Sequence, residues 1–284
     1  MTHIADRLVA GLRAKRTPLC VGLDPRFESL PAAIRKDHSD RAIAYGVFCL
    51  HVLEIVAPLV AVVKPQSAFF EECGPSGVGA LQFVIEEAKK RGLITILDAK
   101  RGDIASTAKA YAEAAFTALN ADALTVNPYL GRDAVEPFIE AARNSQRGLF
   151  VLTRTSNPGS GQFQNLLCDG KPLYRHVADA VGTWNSENLG ECGLGDVGAV
   201  VGATHPAELA ELRALLPDVW FLVPGFGAQG GTPDDVKPAF RTDGLGAIVN
   251  SSRGVTFSLA PDNPRWEAVI EKATREAIAA LPKI

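Results

Sequence analysis

Short apolar runs recur along the chain, and amphipathic stretches fill the gaps between them. The runs Pro18–Leu23, Leu59–Val63, Leu93–Leu97, Ala123–Val126, Gly148–Leu152, Val197–Val201, Val219–Val223 and Ala247–Val249 are short and mostly apolar. Continuous hydrophobicity of this length suits strands buried on both faces, as in a parallel sheet. The stretches Val78–Arg91 and Ile104–Asn120, rich in Ala, Glu and Lys, read as intervening helices. Ile4, Leu8, Val9 and Leu12 stand at helical spacing and predict an N-terminal helix. Eight strands alternating with helices predict an α/β fold, a (β/α)8 TIM barrel forming a single domain over residues 1–284. An open, doubly wound sheet shares the alternation, which by itself does not show closure.

One interval breaks the rhythm. From Thr153 to Gly202 the chain runs longer than between any other pair of proposed strand ends. Ser156–Gly161 is loop-like, and Pro172–Trp184 supplies the expected helix. The excess predicts an inserted loop or short helix around 156–195 on the side where barrel active sites form.

In such a barrel, functional groups collect just past the C-terminal strand ends. The sequence follows that rule. Asp24 follows the first strand, Lys64 the second, Asp98 and Lys100 the third, and Asn127 the fourth. Thr155 and Ser156 follow the fifth, the Gly-rich segment Pro224–Gly231 the seventh, and Asn250–Arg253 the eighth.

Composition narrows the field. The chain is 47% hydrophobic and 21% charged, with a formal net charge of −3, so no long-range attraction draws it to nucleic acid or an anionic membrane. An anionic substrate must be held by local donors. The strongest apolar stretch, Val52–Val63, contains Glu54 and Pro58 and is too short to span a bilayer. The N-terminus is broken by Asp6 and Arg7 and lacks the apolar core of a signal peptide. Five cysteines with no CxxC pair predict a reducing, cytoplasmic setting without a disulfide framework or zinc cluster. The five histidines form no metal-ligand spacing, and His205, in THPAE, reads as a helix cap.

The segment Thr95–Thr107, TILDAKRGDIAST, drives an apolar strand into four charges: Asp98, Lys100, Arg101 and Asp103. Asp98 and Lys100 are two apart, so extended geometry points them to one face. With Lys64 they predict an alternating network of two lysines and two aspartates that is buried only because it is paired. A solvated turn with surface ion pairs is the competing reading of the charge run, and Lys64 alone also reads as a lysine snorkelling at a barrel rim. PGFGAQGG, with four glycines in eight residues, offers backbone N–H groups to an anion, although a Gly-rich loop alone is more often a turn. Arg253 adds a guanidinium fork suited to phosphate. Thr155 and Ser156 read equally as an ST-turn before Pro158 or as donors to a ligand.

DAKRGDIAST resembles the signature of the orotidine 5'-phosphate decarboxylase family, Asp-x-Lys-x-x-Asp after the third strand. GLDPR at Gly22–Arg26, VVKPQSAFFE at Val62–Glu71, NPYLG at Asn127–Gly131 and SSRG at Ser251–Gly254 are similar to further family segments in the same order. The TSNPGS run and the long fifth interval resemble the longer bacterial branch. The resemblance implies decarboxylation of orotidine 5'-phosphate (OMP) to UMP, the last step of de novo pyrimidine nucleotide synthesis, with no metal and no organic cofactor. It implies that Lys100 donates the proton to C6 and stabilises the carbanion, with Asp98 beside the substrate carboxylate and Lys64 and Asp24 on the ribose hydroxyls. It implies Ser156 at the pyrimidine amide edge, Gln229 and Arg253 on the phosphate, and Asp103 and Thr107 entering the neighbouring site of a homodimer.

Two other readings compete. A Mg2+-dependent sugar-phosphate decarboxylase or aldolase of the same barrel class shares the Asp-x-Lys-x-x-Asp strand end, but Lys64 stands where that group expects an acidic metal ligand. A non-catalytic nucleotide-binding barrel would bind UMP without needing Asp98, Lys100 and Asp103 together.

Overall fold

The computed structural model describes residues 2–227, 231–258 and 260–284. Eight parallel strands close into a barrel in sequence order, each hydrogen-bonded to the next and the last to the first. They are Leu19–Leu23, Val62–Pro65, Ile94–Arg101, Ala123–Val126, Gly148–Arg154, Val197–Val201, Phe221–Val223 and Ala247–Ser251. Closure excludes the open sheet. The apolar runs fold this way because their side chains face apolar layers on both sides. Leu19, Val21 and Leu23 join the cluster under the outer helices, whereas Cys20 joins a second cluster inside the barrel. The helices Arg41–Val56, Gly74–Lys90, Arg132–Asn144, Leu173–Ser186, Pro206–Leu215 and Trp266–Ala280 form the outer layer, and Ala105–Glu113 continues into a π-turn at Ala114–Ala118.

The N-terminal helix, Ile4–Lys15, closes the bottom of the barrel. Its Ile4, Leu8 and Leu12 pack into the interior cluster with Ile94, Phe150 and Trp220, and Arg7 pairs with the buried Asp122 at 2.6 Å. A cavity opens at the opposite mouth.

Several boundaries differ from the apolar pattern. The second strand begins at Val62 because Leu59 and Val60 turn back to bond the Val56 carbonyl. The seventh begins only at Phe221, while the third, fifth and eighth run on into their polar ends. The long fifth interval contains two short helical turns, Pro158–Ser160 and Gly161–Gln164, and a small hairpin pairing Leu167–Cys168 with Lys171–Pro172, before the crossover helix begins. No described helix is long and apolar enough to cross a membrane.

Candidate active site

A cavity of about 630 Å3 opens at the C-terminal mouth of the barrel, lined among others by Asp24, Lys64, Asp98, Lys100, Ser156 and Arg253. That volume is in the range of small-ligand sites. Its floor is divided. The second to fourth strands contribute Lys64, Asp98 and Thr125, and the fifth to seventh contribute Leu152, Val200 and Leu222.

Asp98 is the node of the polar half. Its Oδ2 accepts from Lys64 Nζ at 2.7 Å and from Gln66 Nε2 at 3.0 Å. Its Oδ1 accepts from Lys100 Nζ at 2.6 Å and from Thr125 Oγ1 at 2.9 Å. Asp98 is 7% and Lys64 4% exposed, so both charges are held away from water. Burial would raise the Asp98 pKa, but the Lys64 and Lys100 ammoniums outweigh it and hold the carboxyl well below the usual carboxylate range. Burial likewise opposes the Lys64 charge, yet Asp98 and then Asp24 outweigh it and raise that pKa above the ordinary lysine value.

Lys100 reaches Asp98 by a route that simple extension does not give. The pairing of the third and fourth strands jumps from Leu97↔Leu124 to Arg101↔Val126, so the third strand bulges between them. Lys100 sits in the left-handed region at φ 48°. Thr125 Oγ1 holds the bulge by accepting from the Ala99 and Lys100 amides at 3.1 and 2.9 Å. The expectation of a plain extended pair is corrected: the two groups converge through a strained backbone fixed by a neighbouring hydroxyl. Lys100 itself stays half-exposed, facing the cavity.

Asp24 lies at the cavity wall. Its Oδ2 accepts from Ser252 Oγ at 2.6 Å, while Oδ1 is buried and has no protein partner. A Cβ on Gly22 would stand 2.6 Å from the Ser252 Cβ, so glycine there lets the first and eighth strand ends approach closely. Arg253 begins the short helix Arg253–Thr256 and lines the same wall. Thr155 and Ser156 line the opposite side. Gly202 makes room for that turn, since a Cβ there would stand 2.7 Å from the Ser156 Cβ. Gln229 lies outside the described residues.

The expected four-charge network holds three of its members. Asp103 accepts from the Ile104 amide at 2.8 Å and, among the described residues, forms no ion pair. The fourth member is displaced because Asp103 lies past the strand end, and both Asp103 and the exposed Thr107 lie outside the cavity lining. His205 takes the first position before the helix Pro206–Leu215, but its side chain makes no cap hydrogen bond. Gln66 and Thr125 also line the cavity and were not singled out as site residues by the sequence. Thr125 had a signal, a lone polar side chain inside the apolar strand ALTV. Among the described residues no group of three His, Cys, Asp or Glu side chains could hold a metal ion.

A model of the Orotidine 5'-phosphate decarboxylase / HUMPS family matches residues 17–265. An orotidine 5'-phosphate decarboxylase of Rhodopirellula baltica is 47% identical, covering 96% of this chain and 97% of that protein. One of Haloarcula marismortui is 42% identical over 90% of this chain and 87% of its own length. The solved structure of Leishmania donovani OMP decarboxylase superposes with a TM-score of 0.79 at 39% identity, covering 98% of each chain.

Proposed function

The chain belongs to the Orotidine 5'-phosphate decarboxylase / HUMPS family, and on that premise we propose how it decarboxylates OMP to UMP: through a C6 carbanion that Lys100 stabilises and then protonates. The C6–carboxylate bond breaks, CO2 leaves, and the electron pair stays on C6. The Lys100 ammonium, already charged and already oriented by Asp98, faces that developing charge and transfers its proton to C6. Solvent reprotonates the amine. The observation that carries this reading is the Asp98 carboxylate held at 2.7 and 2.6 Å between two ammoniums on the floor of one cavity.

The remaining roles follow the chemistry of the lining. The partnerless Asp24 Oδ1 is an acceptor suited to a ribose hydroxyl, with Lys64 beside it as donor. Arg253, with Gln229, holds the phosphate, and Ser156 reads the pyrimidine amide edge. The enzyme works as a cytoplasmic homodimer in which Asp103 and Thr107 enter the partner's site. Exposed Ile104 follows Asp103, and exposed Tyr129 and Leu130 lie on the loop after Asn127, whose amide bonds the Arg101 carbonyl; together they supply the apolar surface an interface needs. Five unpaired cysteines suit a reducing compartment.

The deciding assay is the absorbance change on mixing purified protein with OMP in the presence of EDTA. Turnover unaffected by the chelator is expected, since an ammonium at the end of the second strand is a poor neighbour for a divalent cation. An absolute Mg2+ requirement would favour sugar-phosphate chemistry instead, and UMP binding without turnover would favour a non-catalytic barrel.

The shared site has its own test. Asp24→Ala and Asp103→Ala dimers should each be nearly inactive. After mixing and reassociation about a quarter of wild-type activity should return, because half the dimers are mixed and each mixed dimer has one intact site. No recovery would place Asp103 outside the partner's site.

A further inference from the structure

The inserted segment after the fifth strand sends one side chain back to the barrel mouth. Gln164 lines the cavity, and its amide meets Thr155 twice. Its Oε1 accepts from the Thr155 backbone N–H at 3.0 Å, and its Nε2 donates to Thr155 Oγ1 at 2.8 Å. Thr155 Oγ1 in turn donates to Asn157 Oδ1 at 2.6 Å. The fifth strand makes its last ladder bond when the Arg154 carbonyl accepts from the Gly202 amide. Beyond that point Gln164 does for Thr155 what a neighbouring strand would do.

Arg154 holds Gln164 in turn. The register of the fifth and sixth strands jumps from Leu152↔Val200 to Arg154↔Val201, so two residues advance against one. That bulge turns Arg154 away from the cavity floor, where Leu152 and Val200 point, into the layer under the outer helices. There it is 2% exposed, paired with Glu208 and stacked 5.5 Å from the Tyr174 ring centroid. One guanidinium nitrogen, Nη1, donates to Gln164 Oε1 at 3.1 Å and to Ser160 Oγ at 2.9 Å. A rigid chain of contacts thus runs from the helix Pro206–Leu215 through Arg154 and Gln164 to the turn that carries Ser156.

We propose that Gln164, clasped by the buried Arg154, is a positioning residue that sets selectivity for uracil over cytosine at this site. The inference rests on the reading that Ser156 meets the pyrimidine amide edge. Uracil offers a C4 carbonyl and an N3–H there, whereas cytosine offers an amino group and a bare N3. Telling these apart requires donors and acceptors fixed to a fraction of an ångström. A turn free to rotate its peptide groups would pair with either base. The clasp removes that freedom at the residue preceding Ser156.

The test compares inhibition constants for UMP, CMP and inorganic phosphate in the full-length enzyme. Gln164→Ala is expected to shrink the CMP-to-UMP ratio about tenfold, the size of one lost hydrogen-bonded constraint. UMP should weaken, CMP should change little, and phosphate should not respond. Thr155→Val, which removes the hydroxyl that Gln164 grips, should shrink the ratio in the same direction. Gln164→Glu keeps an acceptor for Arg154 and the Thr155 amide, and its carboxylate can accept from the Thr155 hydroxyl in place of donating to it, so it should retain most of the selectivity even if the alanine variant is poorly folded. Equal weakening of UMP and CMP, or an unchanged ratio in Gln164→Ala and Thr155→Val, overturns the proposal while leaving the function intact. A wild-type enzyme that turns over OMP but does not prefer UMP to CMP overturns the edge reading and the proposal together.

Discussion

Replacing Lys100 by alanine should reduce decarboxylation of OMP by roughly 10⁴-fold or more, while UMP still binds within about threefold of the wild-type affinity. On the proposed mechanism two contributions disappear at once: the proton donor to C6, and a fixed positive charge facing the carbanion. General acid catalysis alone is worth about 10²–10⁴, and a preorganised charge adds a further factor on the order of 10²–10³. The variant should fold normally. Lys100 is half-exposed, and without it Asp98 keeps Lys64, Gln66 and Thr125 as donors. Lost activity therefore reports chemistry and not unfolding. On the proposed roles UMP retains its affinity, because Arg253, Asp24, Lys64 and Ser156 hold its phosphate, ribose and base edge without Lys100. Single-turnover absorbance and UMP titration are the measurements. A variant that keeps a tenth of the wild-type rate would remove Lys100 from its role.

Most of the barrel was legible because its strands are buried on both faces, which writes them as unbroken apolar runs. The ends were not. Leu59 and Val60 are as hydrophobic as the strand they precede, yet they belong to a turn closed by the Val56 carbonyl. The site was legible as a set of strand ends, and Asp98, Lys64 and Lys100 do converge there. How they converge was hidden, because the bulge at Lys100 depends on a long-range hydrogen bond to Thr125 in a different strand, whose polar side chain in ALTV marks it without naming its partner. Gln164 was hidden for a similar reason. Nothing local marks a glutamine at the end of a short helical turn as the partner of a backbone amide nine residues earlier. Motif resemblance pointed to Asp103 and Thr107, and a single chain leaves both outside its own cavity.

Asp98→Asn tests the same network from its centre, and the expected effects are large on both activity and stability. The change keeps the shape but removes the charge that orients Lys100, so the rate should fall on the order of 10²–10³-fold. Stability at pH 7 should drop by about 3–5 kcal/mol, because Lys64 is left as a buried charge without its counter-ion. The pH dependence separates this cause from simple misfit. The Asp98 carboxyl is held low in the folded state, so its contribution is fully present above the unfolded value of about 3.9 and is lost as pH falls toward the folded value. The gap between wild type and variant should therefore be widest near neutrality and narrow below about pH 4. Lys64 acts at the other end. Its pKa is raised in the folded wild type, so its contribution is present below the unfolded value of about 10.4 and fades as pH climbs through the folded one. In the variant burial acts on Lys64 unopposed by Asp98, its pKa falls, and the gap should narrow again in alkali. Denaturant unfolding at pH 3.5, 7 and 10.5 measures all three points. A variant as stable as its parent at pH 7, or a gap that ignores pH, would mean that the carboxylate between residues 64 and 100 is not the electrostatic centre of this site.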